Sequence, residues 1–374
     1  MPSGYPLLEL ARPVVVLAAC TIACDDARPP ACPPAFQAEA WESADQLFRG
    51  DPNWVGADGA YSVDLGAGRV LWLFGDTFID PDATGARRNP ATRMVSNTVA
   101  IQQGYDPAGA TIRYYWGTDL QGVPIAYFPD SGEVRYWPGH GIRIRDRLLL
   151  FLMEVHGIPT GLGFEVADWR AVLIANPDAE PSKWDVSWLD TPKNELQAIV
   201  GSASVLAEDG YLYAYSSREP RGGDVYLVRW PDTSAYEGNL RDMAWLAADG
   251  TWIADGVSER EPAPVMRNGA TELTVHRDDI SGCYLEVQSV GFGPAVLVVR
   301  SAPKLTGPWS NPDTLYRPPE YDTPRIMIYQ GKAHPHLAGA DLVLSYSTNT
   351  SADFDSLVGD STIYYPRFVR FSRE

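Results

Sequence analysis

The stretch Trp54–Phe78, WVGADGAYSVDLGAGRVLWLFGDTF, decides the reading of this chain. It alternates apolar and polar residues, turns at Gly66-Ala67-Gly68, and returns as a second, strongly apolar run. That is the pattern of two antiparallel strands joined by a tight turn. Asp58 lies nine residues before Ala67 and Asp76 nine after it. A turn centred on Ala67 therefore sets the two aspartates opposite each other at the open end of the hairpin, where cross-strand Cα atoms are about 4.5–5.5 Å apart. Two carboxylates held that close are costly unless their chemistry uses both, and paired acids flanking a bond are the equipment of most glycosidases.

The same strand–turn–strand unit recurs along the chain. It returns as HGIRIRDRLLLFLMEV (140–155), SASVLAEDGYLYAYSSRE (202–219), LTVHRDDISGCYLEVQSV (273–290) and HPHLAGADLVLSYSTNT (334–350). Further strand-like runs such as MVSNTVAIQ, RAVLIAN, VYLVRW, AVLVVRSAP and IYYPRFVRFS bring each unit to about four strands. A lone strand pair cannot bury its faces, and five four-stranded units stack around an axis. The expected fold is all-β, a five-bladed β-propeller spanning residues 51–374. Aligned at their turns, the second strands place Asp76, Glu154, Ser217 and Thr348 at one depth, at the end of the propeller where a mouth opens.

The composition agrees. Hydrophobic residues make up 45% of the 374 and charged residues 21%, as in a core-forming protein rather than a disordered one. Trp 12, Tyr 19 and Phe 11 give rings suited both to packing and to the C–H faces of sugars. A formal net charge of −18 disfavours nucleic acid and anionic membrane surfaces as partners and suits a neutral substrate. No G-x-S-x-G elbow, P-loop or dinucleotide fingerprint occurs, which leaves acyl transfer and nucleotide chemistry unsupported. Nor is there an H-E-x-x-H, a paired C-x-x-C or an EF-hand loop. No cofactor is required on this reading, although a structural cation on the propeller axis is compatible with it.

The first residues read as targeting sequence. PVVVLAACTIAC is an apolar run too short to span a bilayer, and Leu17-Ala18-Ala19-Cys20 resembles a bacterial lipoprotein box. We expect a signal peptide over 1–24 with Cys20 lipidated (Cys24 being a poorer second site), a Pro- and Ala-rich tether over 25–50, and an exported monomer whose contact with the membrane is its lipid. Cys283, in SGCYLEV, reads as a small buried hydrophobe; a bridge to Cys32 is the alternative in an oxidising compartment.

Asp58 and Asp76 are the first catalytic candidates. Glu154 follows four apolar residues, where desolvation would raise its pKa and suit a general acid; a buried ion pair with Arg143 or Arg145 is the alternative. Glu219 is a third-blade candidate. Asn97 begins the strand after Asp76 and could meet a sugar hydroxyl, as could Ser217. His334 and His336 alternate on one strand beside Lys332, and His140 opens the second unit, so all could line the mouth.

GADGAYSVDL, VLWLFGDTF, RMVSNTVAIQ, GHGIRIRDRLLLFL, SAPKLTGPWS, YQGKAHPHLAG and YYPRFVRF together resemble the five-bladed glycoside hydrolases related to family 43. They are more similar still to the domain-of-unknown-function family 4185, which includes the endo-D-arabinanases of glycoside hydrolase family 183. The resemblance implies an aspartate pair, Asp58 and Asp76, acting on a furanoside or pyranoside link of an arabinan-like polysaccharide; Gln330, Lys332, His334 and His336 are expected as substrate contacts. Ser217 stands where family 43 has a third acid, which favours a two-aspartate arrangement. A non-catalytic carbohydrate-binding lipoprotein on the same scaffold is the alternative from another class, and a lyase or phosphodiesterase a third.

Overall fold

The computed structural model describes residues 32, 35–159, 163–218, 223–256, 260–291 and 293–373. Five antiparallel sheets follow one another along the chain. Blade 1 is built on the strands Trp54–Gly66 and Arg69–Ile79, and blade 2 on Arg135–Ile144, Arg147–Gly157 and Phe164–Ile174. Tyr211–Arg218 and Asp224–Pro231 centre blade 3, Tyr284–Val290 and Val296–Ala302 blade 4, and Ile326–Ala333 and Leu342–Thr350 blade 5. Four of the repeats read from the sequence coincide with a pair of strands in one blade; the fifth, 334–350, holds only Leu342–Thr350, because the strand paired with it, Ile326–Ala333, precedes the repeat.

The strands are apolar along their length because neighbouring blades cover both faces. In Arg69–Ile79 every residue between the first and the last is buried except Asp76. Five apolar clusters fill the five gaps between blades, including Leu71 with Leu150 (blades 1 and 2), Phe151 with Trp230 (2 and 3) and Tyr215 with Leu273 (3 and 4). Leu285 packs with Leu344 (blades 4 and 5), and Trp72 with Phe368 (blades 1 and 5). This last cluster closes the ring.

The closing blade corrects two expectations. Phe36–Ala40, expected in the tether, is a strand paired with Arg367–Arg373 and forms the outer edge of blade 5. Trp41 and Phe48, just after it, are core residues, so the propeller begins at residue 36 rather than 51. Cys283 is not a lone buried thiol. It is bonded to Cys32, which ties the segment before the outer strand of blade 5 to blade 4. The expected signal peptide and Cys20 lie outside the described residues, among which no helix is long and apolar enough to cross a membrane.

Candidate active site

The first hairpin turns at Ala67-Gly68, with Gly66, Ala67 and Gly68 all at positive φ (78°, 53° and 77°). The pairs Tyr61↔Leu73 and Ala57↔Thr77 share one register, interrupted between them at Gly59↔Phe74. Asp58 and Asp76 fall in this paired irregularity, a device that re-aims side chains beside functional sites. Gly75 makes the room: a Cβ there would stand 2.6 Å from Asp58 Oδ1. Both carboxylates line one cavity of about 630 Å³ at the mouth, a size typical of small-ligand sites.

Blade 5 holds Asp58 from the side. The Tyr329 hydroxyl donates to Asp58 Oδ2 at 2.9 Å, and Asn349 Nδ2 donates to that hydroxyl at 3.4 Å. Gln330 Oε1 accepts from Gly59 N at 2.7 Å, and Lys332 Nζ donates to Gly59 O at 2.8 Å. Asp76 Oδ1 accepts from Trp137 Nε1 of blade 2 at 2.8 Å. Three non-glycine residues around the cavity, Ala60, Gln330 and Tyr364, have φ near +60° (59°, 57° and 63°); such strain persists where surrounding contacts over-determine it and gathers at functional sites.

Burial, then the charges of Asp76 and Glu272, push Asp58 up to about 8 against the opposing pull of Tyr329 and Lys332. Burial also raises Asp76, to about 6, while the Trp137 N–H and Arg135 hold it down. Near neutrality one carboxyl is thus protonated and the other ionised, side by side. Pairs pushed apart in this way are suited to acid and base roles.

A third acid was missed by reading the sequence. Glu272 of blade 4 lines the same cavity and pairs with Lys332 at 3.5 Å; the Lys332 ammonium is fully buried over the Tyr61 ring at 4.3 Å. Burial lowers the pKa of this lysine, and Glu272 and Asp58 counter the drop. A signal for Glu272 did exist. Asp58, Glu272 and Gln330 each stand four residues before the residues Ser62, His276 and His334 of their inner strands. Trp137, Phe164, Tyr329 and Tyr364, which wall the cavity with rings, were missed as well.

Several expected site residues do other work. Glu154 is locked by Arg170 at 2.6 Å and His156 at 3.0 Å, not by Arg143 or Arg145, and does not line the cavity. Asn97 is wholly buried and spends its amide on Phe128 and Tyr136: Nδ2 donates to their carbonyls at 3.0 and 2.8 Å, and Oδ1 accepts from Phe128 N at 2.7 Å. Ser217 is buried against Ser202 Oγ at 3.0 Å. His334 bridges Ser62 Oγ at 2.6 Å and Ser345 Oγ at 2.7 Å inside the ring. His140 and His336 line a second cavity rather than the acid one. Gln330 is on the acid cavity, with Lys332 beneath it. Glu219 lies outside the described residues. Among the described residues no three His, Cys, Asp or Glu side chains are grouped to hold a metal ion.

A family described as domain of unknown function DUF5005 matches residues 42–373. No curated protein matches the chain. Among solved structures, a Bacteroides ovatus protein provisionally designated a hydrolase superposes with a TM-score of 0.66 at 18% identity, covering 93% of this chain and 92% of its own. The catalytic domain of a Coprinopsis cinerea family 62 α-L-arabinofuranosidase gives 0.48 at 11% identity, covering 86% and 91%. A Podospora anserina α-L-arabinofuranosidase, solved with cellotriose, gives 0.48 at 12%, covering 86% and 92%. The first of these likenesses supports the propeller fold. The matching family is DUF5005, and the likeness to family 4185 and glycoside hydrolase family 183 stays a resemblance.

Proposed function

The chain belongs to the DUF5005 family, and from that premise we propose that this protein is a glycoside hydrolase acting on a polysaccharide, with arabinofuranosyl links as the first substrate to try. The observation that carries the reading is the pair Asp58 and Asp76, opening onto one ring-walled cavity with their pKa values driven to about 8 and about 6. Asp58 enters the reaction protonated and gives its proton to the leaving glycosidic oxygen. Asp76, ionised and steadied by the Trp137 N–H, either draws a proton from water or attacks the anomeric carbon. The nearby Glu272 carboxylate, with Lys332 as its counter-ion, adds negative charge that favours an oxocarbenium-like transition state. Trp137, Phe164 and Tyr364 offer ring faces to the sugar.

The disulfide supports an exported protein, since such bonds persist in oxidising compartments; lipid attachment at Cys20 belongs to the same proposal and is checked by fatty-acid labelling of a Cys20→Ala variant. The catalytic reading is tested by assaying Asp58→Asn and Asp76→Asn for reducing-end release from D-arabinan and plant arabinan. Losses of about a hundredfold or more are expected in each. Activity within about threefold of the parent in both would remove it, and glycan binding without product release would favour the carbohydrate-binding alternative.

A further inference from the structure

Tyr364 brings more than a ring to the acid cavity. Its backbone lies in the left-handed region at φ 63°, a conformation that a tyrosine adopts only under constraint. The surroundings supply that constraint. Tyr364 N donates to Thr348 O at 2.9 Å. The buried Arg87 guanidinium donates to three carbonyls of the preceding segment, Leu357 O at 3.0 Å, Asp360 O at 2.8 Å and Ile363 O at 2.6 Å. It also donates to Val55 O at 2.7 Å, on the strand that carries Asp58. Gly56 lets the two segments meet: a Cβ there would stand 2.5 Å from both Arg87 Nη2 and Tyr364 O. The Tyr364 ring packs edge-on against Phe78 at 5.6 Å. One arginine thus fixes the segment that delivers Tyr364 against the strand that delivers Asp58.

The hydroxyl at the end of this ring is unpaired. Around it the Trp137 N–H is given to Asp76, the Tyr329 hydroxyl to Asp58, and Asn349 Nδ2 to Tyr329. Among the described residues the Tyr364 hydroxyl neither donates nor accepts a hydrogen bond. Nor is its oxygen one of the unpartnered atoms sealed inside the fold, as Nδ1 of His276 and Nε2 of His336 are. Tyr364 is 3% exposed, and it lines the acid cavity. Burial, then the charges of Asp58 and Asp76, hold its phenol far above the ordinary range. The group is therefore a neutral donor at every pH where the two acids work. It is close enough to feel both carboxylates and bonded to neither, so its partner is what enters between them.

We propose that Tyr364 is a further catalytic residue: its hydroxyl donates a hydrogen bond to a hydroxyl oxygen of the sugar bound between Asp58 and Asp76, and so sets that sugar's anomeric carbon against the pair. This rests on the glycosidase reading above. Asp58 still gives the proton to the leaving oxygen, and Tyr364 gives up none. Tyr364→Phe removes the oxygen alone, and because that oxygen holds nothing in the fold, the melting temperature should stay within about 1 °C of the parent. On D-arabinan and plant arabinan kcat/KM should fall about tenfold or more, the effect of one hydrogen bond in a site shaped to make it. Calorimetry of the same glycans with the Asp58→Asn protein should show binding weakened when Tyr364→Phe is added. The limbs of the pH–rate profile near 6 and 8 should stay in place. Tyr329→Phe is the contrast: it takes a hydrogen bond from Asp58, so its alkaline limb should rise. A Tyr364→Phe protein as active as the parent, with Asp58→Asn inactive, would overturn this proposal and leave the acid pair standing. So would a marked fall in melting temperature or a shifted limb, since the oxygen would then hold the fold or tune an acid. Asp58→Asn and Asp76→Asn proteins as active as the parent, or a parent that neither cleaves nor binds either arabinan, would remove the acid pair and Tyr364 together.

Discussion

Replacing Asp58 by Asn separates stability from chemistry in a way that pH reveals. The folded carboxyl sits at about 8 against an ordinary 3.8, so folding takes up a proton. Stability present at low pH is therefore lost as pH rises from about 4 to about 8. At pH 7 the gap is about three pKa units, or a ceiling of about 4 kcal/mol. Asp58 opens partly onto the cavity, and water reaching it brings the figure nearer 2 kcal/mol. Asn keeps an oxygen for the Tyr329 hydroxyl and removes the ionisation. The variant should melt about 3 °C above the parent at pH 7–8, and the difference should shrink to nothing near pH 4. Its activity should fall about a hundredfold or more, and the alkaline limb of the pH–rate profile should go with it. The parent should show a bell with limbs near 6, where Asp76 ionises, and near 8, where Asp58 does. Melting curves at five pH values from 4 to 8 and an activity profile carried past the alkaline limb, to about pH 10, suffice. A stability difference constant with pH, or a parent more stable than the variant at pH 8, would refute the placement of Asp58 in a desolvated acid pair.

Three further outcomes follow from particular contacts. Glu154→Gln should leave turnover within a few-fold of the parent while lowering the melting temperature, because it breaks one ion pair of Arg170, which keeps Asp168, and touches no step of the reaction; a hundredfold loss of kcat would return Glu154 to the catalytic set. Lys332→Met removes a wholly buried cation from Glu272 and from Gly59 O, and should destabilise by about 3–5 kcal/mol in urea titrations; a neutral result would mean that the pair is not desolvated. Cys32→Ser should cost about 2–5 kcal/mol, matched by reducing the parent with dithiothreitol, and equal melting of oxidised and reduced protein would argue against the bridge.

The legible features were the local ones. A turn such as Gly66-Ala67-Gly68 is written in three consecutive residues, so the hairpins of blades 1 to 4 could be read without knowing their neighbours, while that of blade 5 was set one strand too late. Asp58 and Asp76 share one hairpin, so their arrival at one cavity was local information, although the interrupted register at Gly59↔Phe74, which sets their aim, was not read. Glu272, Tyr329 and Tyr364 come to the same cavity from blades 4 and 5, roughly 200 to 300 residues away, and only ring closure brings them there. The histidines misled for the opposite reason. The strand ends at Ala333, so the expected alternation fails: His334 packs between Ser62 and Ser345 inside the ring, and His336, in the turn beyond, lines the second cavity. Glu154 sits at the depth of Asp76, yet Arg170, a cross-strand residue of the next strand, claims it. Depth is visible in a turn-aligned sequence; an intervening counter-charge is not. Phe36–Ala40 escaped notice because a five-residue edge strand following a Pro-rich run carries little pattern of its own.

That edge strand fixes when the molecule can be finished. Phe36 pairs with Arg373, so the first strand of the fold waits for the last before it has a mate. During synthesis every other blade can assemble from consecutive chain, while the fifth stays a three-stranded stub with a bare flank until both extremities meet. Deleting either Phe36–Ala40 or Arg367–Arg373 would therefore unlatch that blade rather than trim it.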